Sequence, residues 1–281
     1  MTEPTPLPLL TTELAQRLIA AERDCMVDWL RAIEAADGNP FGIAIRQFGQ
    51  ATALVCSQIP AEVFNRVLGM TVEDRAHVPA ILAFYREHGV NALFDLSPYA
   101  IPPFWVQPNL PPLLARHGFY QGAFHHMLYG VPSLDVPAPP EQITIKEVGP
   151  DDADDFVRVY EQVWGAGGAI RVLIGRPGFR CYLAFVDGAA AGLGVLHIAN
   201  RAGSMANGLT APLFRGRGCQ TALLYRRIHD AALAGCDLLV SQCSPGTDSQ
   251  RNQLRTGFRI AGSKVWWLPM AMERDAAADQ N

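Results

Sequence analysis

The sequence predicts an α/β chain built in two halves, and three observations carry that prediction. Stretches in which apolar residues alternate take turns with stretches of three-and-four spacing along most of the 281 residues. Short signatures recur: Gly69-Met70-Thr71 answers Gly208-Leu209-Thr210, and Gly118-Phe119 answers Gly257-Phe258, both 139 residues later. Between the halves, Val131 to Pro140 carries four prolines in ten residues, an extended spacer that can be neither helix nor central strand. The reading therefore places a first domain at 1–131, a linker at 132–141 and a second domain at 142–281.

Taken in order, Thr11 to Ala36 reads as one long helix, with Leu14, Leu18, Ala21, Cys25, Trp29, Ala32 and Ile33 on one face and Gly38-Asn39-Pro40 as its stop. Gly42–Gly49 and Ala51–Cys56 read as a hairpin turning at Gly49-Gln50. A strand over 64–71 and a helix over about 72–88 follow. In the second half, Gln142–Val148 is a strand, and the helix after it opens with Asp151 and Asp152 and turns Phe156, Val159, Tyr160 and Val163 to one side. Gly165 to Gly178 is glycine-rich and is expected to be mobile. Cys181–Val186 and Gly192–Ile198 form a hairpin around Asp187-Gly188. Ser204–Ala211 is a strand ending at Pro212, and the near-continuous apolar run Asp237–Gln242 suits a central strand. A helix over about 247–255, Gly257 as its stop, and strands through Lys264–Leu268 complete the second half.

Composition excludes several classes. Hydrophobic residues make up 49% of the chain, enough for a sizeable core. A net charge of −4 gives no basic surface for nucleic acid or anionic membrane, so neither is expected as a partner. No apolar run approaches the ~20 residues of a membrane span, and Met1-Thr2-Glu3-Pro4 lacks the start of a secretory signal, so a cytoplasmic location is expected. The six cysteines contain no Cys-x-x-Cys pair, and the run Asp151–Asp155 lacks the glycine and glutamate of a calcium loop. No metal is expected.

One stretch carries chemistry. In Pro212-Leu213-Phe214-Arg215-Gly216-Arg217-Gly218-Cys219-Gln220-Thr221 a glycine-punctuated turn passes directly into a helix. The first turn of that helix has N–H groups without helical partners, and Gly216 and Gly218 let an anion approach the backbone. Along the helix, Thr221, Leu224, Ile228 and Ala231 share the core face, and Arg226, Arg227 and Asp230 are expected to face outward. The stretch lacks the lysine of a P-loop and the Gly-x-Gly-x-x-Gly of a dinucleotide fold. Cys219 at the helix start is a thiol whose pKa such a position can lower, although a small residue packed under the turn is the plainer reading.

Arg215, Gly218 and Gln220 fall on the Gln/Arg-x-x-Gly-x-Gly/Ala positions of a pyrophosphate-binding motif, and from about Gln142 to Met272 the chain resembles the GNAT superfamily of N-acetyltransferases. Gln220 departs from the family's Gly/Ala, so its side chain has to point away from the pyrophosphate. The resemblance implies an α/β (α+β) fold of two GNAT-like domains, each a mixed, mostly antiparallel sheet flanked by helices. It implies acetyl-CoA as cosubstrate and an amine, small-molecule or peptide, as acceptor. The pantetheine arm would lie along Leu209, Thr210 and Ala211, with the acyl carbonyl near the N–H of Leu209. Arg215, Gly216, Arg217, Gly218, Cys219, Gln220 and Thr221 would hold the pyrophosphate, and Asn252 is a further candidate contact. In the first domain Glu73-Asp74-Arg75-Ala76-His77-Val78 stands where Arg215–Gln220 stand in the second, so that copy is expected to have lost its cofactor site.

Two proton transfers remain. Freeing an acceptor amine of pKa near 10.4 costs about 4.6 kcal/mol at pH 7, so a base or water chain matters. Leaving a CoA thiolate unassisted costs only about 2 kcal/mol. The family's thiol-protonating tyrosine, four residues before the Gly-Phe pair, is Gln253 here. His197 is the one base candidate, and a histidine satisfied within its strand is the plainer reading; no catalytic residue is assigned. His125 and His126 alternate faces and would not share a metal. A non-catalytic acyl-CoA-binding or regulatory protein is the alternative, and a homodimer is compatible with the sequence.

Overall fold

The computed structural model describes residues 7–59, 62–100 and 109–270; residues 271–281 of the expected second domain lie outside this range. In chain order come α1 (Thr12–Glu34), β1 (Ile43–Phe48), β2 (Ala51–Cys56) and β3 (Arg66–Leu68). α2 (Val78–Glu87), β4 (Leu93–Leu96), α3 (Leu110–Arg116) and β5 (Phe119–Gly130) follow. Next are β6 (Ile143–Glu147), α4 (Ala153–Glu161), α5 (Gly167–Arg171), β7 (Phe179–Val186), β8 (Ala189–Ala199) and β9 (Ala202–Thr210). Last come α6 (Cys219–Leu233), β10 (Leu238–Cys243), α7 (Asp248–Arg255) and β11 (Arg259–Pro269).

Contacts group the chain as Met1–Ile43 with His125–Ser263, and Ala44–Phe124 with Lys264–Asn281. This differs from a division at the proline-rich spacer, and α1 is the main reason. Its Leu14, Leu18 and Ala21 pack with Met127, Tyr129, Ala202, Leu238 and Val240, all in the larger unit. α1 starts where Thr11 caps it, its hydroxyl accepting the Leu14 N–H at 3.2 Å.

In the larger unit the strand order is β5-β10-β9-β8-β7-β6. β9 and β10 run parallel, joined by α6, and the other neighbouring pairs are antiparallel. Alternate residues of these strands face opposite ways. Leu196, Met205 and Leu239 meet Ala222, Leu223, Ile228 and Ala231 of α6 on one face, whereas Ala202, Leu238 and Val240 meet α1 on the other. The β7–β8 turn at Asp187-Gly188 has φ of 49° and 82°, as a tight hairpin turn requires.

The glycine-rich stretch expected to be mobile instead forms α5, with Ala169, Ile170 and Leu173 buried. Gly167 is there for space: a Cβ would collide with Glu161 and Val157.

The smaller unit orders its strands β1-β2-β3-β4-β11. β3 and β4 are its parallel pair, crossed by α2, above a core that includes Val67, Ile81, Phe84, Phe94, Leu114 and Phe119. Each unit thus repeats strand, crossover helix, parallel strand, as the spacing of 139 residues predicts.

Candidate active site

The parallel pair at the centre of the larger unit comes apart. β9 and β10 are in register only from Ala202↔Leu238 to Ser204↔Val240. Beyond that, β9 stays with β8 as far as Thr210, and β10 stays with β5 as far as Cys243. A wedge-shaped gap opens between Met205–Thr210 and Ser241–Cys243. On its β9 side the ladder is broken by a bulge: Leu193 pairs with Leu209 and Val195 with Ala206, so Gly194 alone stands opposite Asn207 and Gly208. Asn207 takes φ +47° to make it.

At the end of β9 the Ala211 N–H bonds the Ala191 carbonyl at 2.8 Å, and Pro212–Phe214 forms a single tight turn. Gly216 and Gly218 then adopt φ of +77° and +94°. Gly218 is the N-cap of α6, and the first bond closing the helix is Ala222 N–H to Gly218 C=O at 3.0 Å. Among the described residues no side chain caps this end, and no acid sits in its first turn. The N–H groups of Cys219, Gln220 and Thr221 therefore point out of the helix at its positive end. Arg215, Gly216, Arg217 and Gly218 are exposed around them. Arg217 sits 5.8 Å over the Phe214 ring, with Asp187 as a loose partner at 3.9 Å. An anion of more than one negative charge suits this turn.

The Gln220 side chain does point away. Its Nε2 donates to Ser249 Oγ at 3.1 Å and its Oε1 accepts from Asn252 Nδ2 at 2.7 Å, tying α6 to α7. Asn252, a candidate cofactor contact, is thereby held in a helix-to-helix bond, and only the main chain of Gln220 faces the cradle. Gln253, 3% exposed, donates to Ser249 Oγ and the Gln242 carbonyl. Cys219 is 1% exposed, and burial raises its thiol pKa against the weaker pull of its backbone and Arg217. It packs under the turn and is no reactive thiol.

Two residues expected to face outward on α6 do not. Arg227 is 2% exposed and Asp230 3%. Asp230 accepts from Tyr182 Oη and Arg226 Nε at 2.8 and 2.9 Å and pairs with His229 Nδ1 at 3.1 Å. Arg227 is bonded to carbonyls beside the bulge, so polar groups of β7, β8 and β9 draw both charges inward.

His197 is 1% exposed, 2.9 Å from Asp28 Oδ2 of α1 and packed at a tilt against Phe179 at 4.6 Å between centroids. It pairs across the sheet with Ser204, short of the bulge. That is the satisfied strand histidine. His125 Nδ1 lies 3.2 Å from Gln242 Oε1 and His126 Nδ1 2.8 Å from Ser263 Oγ, so the two do have different partners. Among the described residues no three His, Cys, Asp or Glu side chains are grouped to hold a metal, and no helix is long and apolar enough to cross a membrane.

In the smaller unit the helical turn after β3 starts with a carboxylate of its own. Asp74 Oδ2 accepts the Thr71 N–H at 2.9 Å, and Oδ1 accepts the Gln50 N–H at 2.8 Å.

The overall fold has known counterparts among solved structures. A GCN5-related N-acetyltransferase from Kribbella flavida superposes with a TM-score of 0.68 at 16% identity, covering 92% of this chain and 96% of that one. The chain has the GNAT fold. A tandem GNAT protein from the clavulanic acid biosynthesis pathway matches over 88% of this chain and 95% of its own, at TM-score 0.56 and 17% identity. A GCN5-related N-acetyltransferase from Sphaerobacter thermophilus matches over 90% of both chains at 0.53 and 15%. No family model and no curated protein matches the sequence. The GNAT likeness spans both units, in agreement with the two GNAT-like halves read from the sequence.

Arg227, Asn207 and the pair Gly194 and Gly208 were missed from the sequence. A signal was present: glycines inside two strands mark a close approach by another group.

Proposed function

We propose that the chain is an acetyl-CoA-dependent N-acetyltransferase that passes the acetyl group directly to a primary amine, with the larger unit holding the cosubstrate. The observation that carries this reading is the uncapped start of α6 at the end of a splayed strand: three main-chain donors, two glycines and two exposed arginines meet where a pyrophosphate would lie. Arg215 to Thr221 would bind the pyrophosphate, and the main chain of Leu209, Thr210 and Ala211 would pair with the pantetheine arm inside the wedge. Thioester supplies the activated acyl group. The amine nitrogen bonds to the acyl carbon as the C–S bond breaks, the electron pair leaves on sulfur, and the ammonium proton passes to solvent. Solved structures named as GCN5-related N-acetyltransferases support this reading through the shared fold.

Incubation with acetyl-CoA and a panel of primary amines, read as thiol release, tests it. Release that depends on one class of amine and is lost in Gly218→Val is expected; tight CoA binding without release under any amine would overturn catalysis.

A second reading, acyl-CoA binding without transfer, is favoured by two buried side chains. His197 is closed off by Asp28 and Phe179, and Gln253 stands where an acid would be useful. Mass spectrometry of ligand carried through purification would also reveal an acyl group longer than acetyl.

A further inference from the structure

Among the described residues Arg227 is a charge buried without a counter-charge. Its Nε donates to the Leu223 carbonyl at 3.0 Å, and its Nη1 donates to the carbonyls of Val195 at 3.1 Å and Ala206 at 3.2 Å. No carboxylate is among its partners, and Nη2 has none among the described residues; Asp230, three residues on, is occupied by Tyr182, Arg226 and His229. Burial lowers its pKa to about 10, with Tyr182 acting the other way, so it is charged at neutral pH.

Taking an unpaired guanidinium out of water is costly, and hydrophobic side chains of similar size would fill the space at less cost. The backbone has also been cleared for it. A Cβ on Gly194 would sit 2.9 Å from Arg227 Cζ, and one on Gly208 3.3 Å from Nη2. Both glycines belong to the bulge, and so do the carbonyls that Nη1 holds: Val195 and Ala206 form the pair at which the β8–β9 register shifts. A bulge leaves ladder groups without their strand partners, and the guanidinium satisfies them from beneath.

We propose that Arg227 is a positioning residue for acyl transfer. Its grip on Val195 and Ala206 fixes the course of β9 through the bulge along the gap, and its charge favours the negative charge that builds on the thioester oxygen there. In that step the amine nitrogen bonds to the acyl carbon, the carbonyl electrons move onto oxygen and return, the C–S electron pair leaves on sulfur, and the nitrogen gives its extra proton to solvent. The inference rests on the acyl-CoA reading of the wedge.

The test uses the full chain, Arg227→Met and Arg227→Lys, with acetyl-CoA isotopically labelled at its carbonyl. Calorimetry with coenzyme A comes first, and the infrared carbonyl stretch of the bound thioester second. The wild type should lower that stretch below its value in water. Arg227→Met should return it most of the way, and Arg227→Lys should keep part of the shift. In turnover, Arg227→Met should lose on the order of 100-fold in kcat with KM for acetyl-CoA within about threefold, the pattern of a lost oxyanion stabiliser. If Arg227→Met does not fold, Gly208→Ala, which crowds Nη2 and leaves the charge in place, should raise the stretch by a smaller amount. A band at the same frequency in wild type and Arg227→Met, with binding intact, would overturn the role of Arg227 and leave the acyl-CoA site standing. Absence of coenzyme A binding by the wild type would overturn both.

Discussion

Asp74 Oδ2 accepts the main-chain N–H of Thr71 at 2.9 Å, so the smaller unit fills with its own carboxylate the helix start that the larger unit leaves open at Gly218. The Thr71 hydroxyl donates to the same oxygen at 3.2 Å, and Asp74 also ties down Gln50. Asp74→Ala should cost about 1–2 kcal/mol in a denaturant melt, while coenzyme A still binds at one site per chain.

Gln220 and Asn252 hold α6 to α7 through a 2.7 Å bond. Removing one neutral partner of such a bond costs about 1 kcal/mol. Asn252→Ala should therefore lower stability by that amount and leave the Kd for coenzyme A within about twofold, as calorimetry on both proteins would show.

Acid should act through Asp230. Burial works to raise its carboxyl, but hydrogen bonds from His229, Arg226 and Tyr182 outweigh burial and hold its pKa below the usual value. The folded state then binds protons less readily than the unfolded chain, whose aspartates titrate near 3.9. Its contribution is complete above about pH 5 and is lost as pH falls through the folded pKa. Asp230→Asn should lower stability at pH 7 by about 1–2 kcal/mol, since the Tyr182 hydroxyl and the partly exposed Arg226 lose an ionic partner. It should also flatten the decline in acid. Urea melts at a series of pH values would check both.

Of the six cysteines only Cys236 is half-buried, and the other five are buried. Burial raises the Cys219 thiol despite its place at a helix start. Burial and the neighbouring Asp237 raise the Cys236 thiol as well, so native protein should yield about one thiol that reacts slowly toward a disulfide reagent at pH 8, and Cys219 should not be the residue found by peptide mapping.

Much of this was legible along the chain. Gly216 and Gly218 need left-handed backbone, and their spacing ahead of an amphipathic helix says so without a structure. Strands such as β7 and β8 follow alternation and a turn whose residues permit positive φ. Helical spacing misplaced Arg227 and Asp230 because it scores charge as outward, and it has no means of seeing the carbonyls that a bulge on neighbouring strands leaves open. It also put α1 with its sequence neighbours, since packing against Ala202 and Val240 is a contact across about 180 residues or more of chain that no local pattern records. Gly167 read as looseness where the reason was lack of room.

Titration of coenzyme A into the full chain followed by calorimetry, with Gly218→Val alongside, tests the central claim most directly. A side chain at a φ of +94° disturbs the turn from which the α6 amides are presented. The wild type should give one saturable site, and Gly218→Val should bind at least about tenfold more weakly while melting within a few degrees of it. No heat from the wild type, or equal affinity in the two proteins, would contradict the account.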